Sequence, residues 1–309
     1  MTRTTPPPRT IDADWITDRY EAIRPRLPDA DFAGVTPQAV PDLSALADQY
    51  DVFVLDGFGV LNVGASAIDG AADRMAALRR AGKRLIVLTN SASYPAASGV
   101  AKYAGLGFDF AADEILSSRD IALEAMAAFP KDTLWGVTVA GPGSTDALPG
   151  RTVALADDDA PYRDADAILL LSGDQWGTER QMRLAEALAV NRRPVVVANP
   201  DLVAPRETGP SIEPGYWAHD LLDHADLDMT FHGKPFGRAF EAVVERLAGN
   251  VPRTRFAMVG DTLHTDILGG RAAGFGTVLV SAHGVYAGRD VAPYIARTGI
   301  VPDHVAITT

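Results

Sequence analysis

Short apolar runs rich in branched and aromatic residues alternate along this chain with longer stretches whose apolar positions recur every three or four residues. The first kind reads as buried strands: Val52 to Leu55, Arg84 to Thr89, Asp132 to Ala140, Ala167 to Leu171, Pro194 to Ala198, Phe256 to Gly260 and Thr277 to Val280. The second kind reads as helices: Asp69 to Ala81, Ser98 to Ala104, Ser118 to Phe129, Arg180 to Val190, Tyr216 to His224, Arg238 to Ala248 and Thr265 to Ala273. End signals agree with this reading. Gly82 follows one helix as a C′ glycine, and Asp42-Leu43-Ser44 opens a capped helix over Pro41 to Gln49. Strand, helix, strand in succession predicts βαβ units, a parallel sheet with right-handed crossovers and a doubly wound, Rossmann-like α/β core. From Leu148 to about Asp228 the pattern starts again with its own strands and helices. That predicts an inserted α/β unit at 148–228, with the core split into 38–147 and 229–309. Residues 1–37 are polar apart from a helix candidate around Asp14 to Ile23, and read as a mobile arm or a surface-packed extension.

The residues just past the strands alter the picture most. In Asp51 to Gly64 (DVFVLDGFGVLNVG), an apolar run stops at Asp56 and is followed by Gly57 and Gly59. Alone, Asp56 is an ordinary turn residue. Three more segments carry matching chemistry: LIVLTN (Leu85 to Asn90), GKP (Gly233 to Pro235) and AMVGDTLHTDI (Ala257 to Ile267). Together they put a carboxylate, a hydroxyl, an ammonium and a pair of carboxylates at strand ends or a helix start, where open α/β sheets bind ligands. A carboxylate facing a phosphate at about 4 Å and an effective dielectric near 20 costs roughly 4 kcal/mol per unit pair, so such a site must neutralise charge first. Asp56, Asp261 and Asp266 offer hard oxygen ligands suited to Mg²⁺, and Lys234 adds a compact cation.

Composition narrows the classes. The 309 residues, 47% of them hydrophobic, can bury a sizeable core in two domains. The chain has no cysteine, which excludes disulfides, thiolate metal sites and cysteine nucleophiles. Its formal net charge of −12 argues against a nucleic-acid partner. No signal-peptide-like segment and no 18-residue apolar run are seen, so a cytoplasmic protein without a membrane partner is expected.

The four segments, in order and at this spacing from about Tyr50 to Ser281, resemble the haloacid dehalogenase superfamily, in the branch of the NagD-like and 4-nitrophenylphosphatase-like phosphatases. The resemblance implies a core with a large C2-type cap at 148–228, and Mg²⁺-dependent transfer of a phosphoryl group from a small phosphorylated metabolite through an aspartyl-phosphate. It assigns Asp56 as nucleophile and metal ligand, the Phe58 carbonyl and Asp261 as further ligands, and Asp266 as a ligand or a support through water or Lys234. Thr89 and Lys234 would serve catalysis, with Asn90 and Ser91 holding phosphate. Cap residues Asn199, Asp201, Glu213 and Tyr216 would contact substrate, and the cap would allow a homodimer. One position departs from the family pattern. Phosphatases of the superfamily read DxD, the second Asp serving as acid and base, whereas this chain has Asp56-Gly57-Phe58. Acid–base help is worth about 10² to 10⁴ in rate, so slow turnover or good leaving groups are expected unless His264, Glu213 or Asp201 substitutes. The alternatives are a metal-independent dehalogenase-like C–X hydrolase and a protein that binds a phospho-ligand without turning it over.

Overall fold

The computed structural model describes residues 4–206, 209–247, 249 and 251–309. Seven parallel strands form the core sheet in the order Gln38–Val40, His304–Ala306, Gly276–Val280, Phe256–Gly260, Val52–Leu55, Arg84–Thr89 and Ile115–Ser117. Val52 and Val54 pack on one face of the sheet with Phe240, Phe256 and Met258, while Phe53 and Leu55 pack on the other with Met75, Leu78 and Val259. Strand period two thus sends alternate residues into two separate cores, which is why these strands are apolar throughout. Register fixes the site: Leu55 pairs with Val259 and Val87, so the next residues along three adjacent strands lie side by side at the sheet's carboxyl edge.

A second sheet holds five parallel strands in the order Met229–Phe231, Val195–Val197, Ala167–Leu170, Leu134–Thr138 and Arg151–Ala154. Here the observed arrangement departs from the expected boundaries of 148 and 228. Leu134–Thr138, read above as part of the core, pairs with Arg151–Ala154 and Ala167–Leu170 of the second sheet, and Met229–Phe231 is that sheet's edge. Apolar periodicity marks a strand without naming its partner.

Most helices fall where the pattern placed them, at Ala71–Arg80, Ala96–Gly105, Ser118–Met126, Thr178–Val190, Pro214–His224 and Gly237–Arg246. Ala248, the expected end of the last, lies outside the described residues. The expected helix over Thr265 to Ala273 begins as a π-turn, Leu263–Ile267, before a short α-helix, Leu268–Ala272. The capped helix expected over Pro41 to Gln49 is a single 3₁₀ turn, Leu43–Leu46, with the Asp42 side chain accepting from the Ser44 amide. Of the two readings of the N-terminal extension, the packed one holds for the helix Ala13–Ile23. Its Ile16, Tyr20 and Ile23 are buried against Leu202, Val203, Tyr216 and Trp217 of the inserted unit. The same helix reaches the core through Glu21, whose Oε1 lies 2.6 Å from His264 Nε2. Among the described residues no helix is long and apolar enough to cross a membrane.

Candidate active site

Asp56 leaves the central strand one residue past Leu55, its amide donating to the Val259 carbonyl of the neighbouring strand at 2.9 Å. Its Oδ1 accepts from the Gly57 amide at 2.6 Å and lies 2.7 Å from Lys234 Nζ. The same ammonium lies 2.7 Å from Asp266 Oδ1. Burial alone pulls the Lys234 pKa down, but Asp266, Asp56 and Asp201 around it win and raise it, so the ammonium keeps its proton. Asp266 Oδ2 accepts from the Thr262 amide at 3.1 Å. Asp261 is held by Thr262 Oγ1 at 2.9 Å and by the Val285 amide at 2.9 Å. Burial, and then the neighbouring carboxylates, push the pKa values of Asp261 and Asp266 above the usual range.

Glycines make room for this crowding. A Cβ on Gly260 would fall 2.0 Å from Asp266 Cγ, and one on Gly284, at φ +72°, would fall 1.8 Å from Asp261 Oδ2. Carboxylate oxygens of Asp56, Asp261 and Asp266 lie within 4.8 Å of one another, and two of the three residues are buried. An all-oxygen set of this kind, with only one lysine to offset three carboxylates, fits a hard divalent cation such as Mg²⁺ or Ca²⁺.

The carboxylates open on a cavity of about 40 Å³ lined from both sheets: Asp56, Phe58, Thr89, Asn90, Ser91 and Asp261 on one side, and Asn199, Asp201, Arg206 and Glu213 on the other. Its polar groups are mutually braced. Asn90 Oδ1 accepts from the Lys234 amide at 2.8 Å, while its Nδ2 donates to the Lys234 carbonyl at 2.9 Å and to Asp201 Oδ1 at 2.8 Å. With both ends engaged, the Asn90 side chain orients Lys234 and Asp201. Asn199 links the Asp201 amide to Glu213 Oε2, and Glu213 also takes Ser211 Oγ at 2.6 Å. Burial raises the pKa values of Asp201 and Glu213, that of Asp201 well above its ordinary value.

Two expected residues lie elsewhere. Tyr216 packs against Trp15 and donates its hydroxyl to the Thr5 carbonyl at 2.7 Å, which spends its polar end on the N-terminal extension and away from the cavity. His264 is fully buried, stacked on Tyr20 and bonded to Glu21, and does not line the cavity. The pattern reading missed Arg206 and Lys102, which stand over the Phe58 ring at 5.2 Å and 4.3 Å from its centroid. For Lys102 a signal existed, since it is the only charged residue in its helix, AASGVAKYAG.

Comparison with known proteins decides the family. The haloacid dehalogenase-like hydrolase pattern matches residues 53–148 and a related HAD-hydrolase-like pattern residues 231–307. Glycerol-3-phosphate phosphatase of Gallus gallus is 30% identical over 294 residues, covering 84% of this chain and 90% of that protein. The chain belongs to the haloacid dehalogenase-like hydrolases. A possible sugar phosphatase of this superfamily from Cytophaga hutchinsonii shares the fold at a TM-score of 0.77 and 26% identity, over 88% of this hydrolase and 98% of that one. A glycerol phosphate phosphatase from Mycobacterium tuberculosis in complex with magnesium shares it at a TM-score of 0.66 and 22% identity, over 85% and 76%. The stretch of this hydrolase between the two matched segments holds four of the five strands of the second sheet in whole or part.

Proposed function

We propose that this hydrolase is a phosphatase of small phosphorylated metabolites that works through an aspartyl-phosphate on Asp56. The observation that carries the reading is the cluster of Asp56, Lys234, Asp261 and Asp266, two members of which, Asp56 and Asp261, line the cavity. Asp56, Asp261, Asp266 and the main-chain carbonyl of Phe58 would hold Mg²⁺, in keeping with the magnesium complex of the Mycobacterium tuberculosis relative. A bound divalent cation supplies charge neutralisation for the phosphoryl oxygens.

An Asp56 carboxylate oxygen attacks phosphorus, forming the P–O bond while the bond to the leaving oxygen breaks and its electron pair departs with it. Water then attacks the aspartyl-phosphate, releasing inorganic phosphate and restoring the carboxylate. Lys234 steadies the attacking carboxylate and offsets charge on the transferring group, and the hydroxyls of Thr89 and Ser91, which line the cavity, would donate to its equatorial oxygens. Phe58 cannot give a proton to the leaving oxygen. Asp201 is the better placed source of one. It lines the cavity, has its pKa raised by burial and is tied to Lys234 through Asn90, whereas Glu213 is already bound by Ser211, Arg206 and Asn199.

Phosphate release from 4-nitrophenyl phosphate with and without Mg²⁺, run beside Asp56→Asn, tests this. Metal-dependent turnover that the substitution abolishes is expected. Turnover indifferent to both would overturn the reading, and halide release from 2-haloacids without metal would replace it.

A further inference from the structure

Accepting the phosphatase reading, the geometry points to a substrate that carries a second anionic group, a carboxylate or a second phosphate, held by Lys102 and Arg206 beyond Phe58. The inner cavity of about 40 Å³ has room for little beyond the phosphoryl group itself. Next to it lies an open cleft of about 580 Å³, and Phe58, Ser91, Ser93 and Arg206 line both. A leaving group bonded to phosphorus at Asp56 therefore passes Phe58 and emerges into this cleft. Lys102 lines the cleft and is absent from the inner cavity's wall, and the Asp56 carboxylate also acts on its charge, so it stands between the phosphoryl site and the leaving group.

Of the two cations, Lys102 is the less satisfied by the protein alone. Lys102 rests over the Phe58 and Tyr103 rings, at 4.3 Å and 5.1 Å from their centroids, and no carboxylate pairs with it among the described residues. Arg206 shares the Phe58 ring at 5.2 Å, donates from Nε to Ser211 Oγ at 3.1 Å and pairs with Glu213 Oε1 at 3.4 Å. Asp174, also on the cleft wall, is exposed, and among the described residues its carboxylate forms no ion pair with either cation. The two like charges around one aromatic ring repel each other, and an anion within reach of both relieves that repulsion. The phenylalanine, useless as an acid, becomes the platform that presents them. In a chain of net charge −12, such a local positive mouth also concentrates small anions.

The test uses the Mg²⁺-loaded protein and aryl phosphates whose leaving groups differ in acidity only slightly, so that the missing acid does not confound the comparison. 4-Carboxyphenyl phosphate is set against its neutral isostere 4-carbamoylphenyl phosphate, with benzene-1,4-diyl bisphosphate as the second-phosphate arm. The expected kcat/KM favours the charged substrates by roughly tenfold or more, a modest ratio because the cleft is open to solvent. The preference should be carried mainly by KM and should shrink between 50 and 300 mM salt. Lys102→Met should collapse the ratio, and Lys102→Arg should retain it. Whichever of the carboxylate and phosphate arms gains more names the group. Equal kcat/KM for charged and neutral substrates in the wild type, with turnover intact, overturns this inference and leaves the phosphatase reading standing. So does a Lys102→Met variant that lowers both substrates by the same factor. Failure to turn over any aryl phosphate, 4-nitrophenyl phosphate included, sinks both.

Discussion

Phe58→Asp restores the aspartate pair of the superfamily pattern, yet the surroundings argue that it will not restore the acid. General acid catalysis is worth about 10² to 10⁴ in rate, or roughly 3–5 kcal/mol of barrier. The new carboxylate, however, would stand where the ring now stands, beneath Lys102 and beside Arg206. At 4–5 Å and an effective dielectric near 20, each cation stabilises the ionised form by roughly 3–4 kcal/mol before exposure is considered. Arg206 is 40% exposed and partly occupied by Glu213, so its share is small. Lys102 alone leaves about 2–3 kcal/mol, which lowers the aspartate pKa by about 2 and cancels the rise that burial would need to produce for the residue to hold a proton at neutral pH. The residue could then act as a base on water but not as an acid. Phosphate release from an alkyl phosphate should therefore rise less than tenfold in Phe58→Asp. Turnover of 4-nitrophenyl phosphate, whose leaving group needs no acid but whose aspartyl-phosphate still needs a base on water, should rise more. In Phe58→Asp/Lys102→Met the alkyl phosphate should gain about a hundredfold, because the acid can now hold its proton. A full gain in the single variant would refute the electrostatic argument. No gain in either would show that proton donation was never the deficit.

Three other outcomes follow from the same coordinates. Lys234→Met leaves the buried carboxylates of Asp56 and Asp266 without their cation and should cost roughly 3–5 kcal/mol in urea unfolding without Mg²⁺, with part recovered when Mg²⁺ is added; an unchanged midpoint would contradict the pairing. Gly284→Ala drives a methyl into Asp261 and should raise the Mg²⁺ concentration at half-maximal rate by about 10- to 100-fold, with a further loss of at least about 1–2 kcal/mol in stability from the left-handed backbone, read by urea unfolding. His219 is buried against Phe231, and burial pulls its pKa from 6.5 to about 3. Its folded pKa lies below the unfolded one, so this contribution to stability is complete above pH 6.5 and is lost as pH falls. Between pH 6.5 and 3 it declines by at most roughly 1.4 kcal/mol per pH unit, and His219→Phe should flatten the slope of unfolding free energy between pH 7 and 5 relative to the wild type.

How much of this was legible beforehand depends on the distance over which each feature is encoded. Strand and helix positions, the glycine turns, and Asp56, Thr89, Lys234, Asp261 and Asp266 as strand-end chemistry are written in local pattern, because period, caps and punctuating glycines act within a few residues. The sequence alone therefore determined a doubly wound hydrolase core, and Asp56-Gly57-Phe58 alone declared the missing acid. Pairing partners, by contrast, are decided across tens to hundreds of residues, and no local period records them. Only the tertiary structure moved Leu134–Thr138 into the second sheet and turned Tyr216 away toward Thr5. It alone bound Asn90 to the Lys234 backbone and brought Lys102 and Arg206, 104 positions apart, over one phenylalanine ring. A charged side chain looks the same in sequence whether it faces water or a cleft; the packing of two sheets against each other is what gives these two a target.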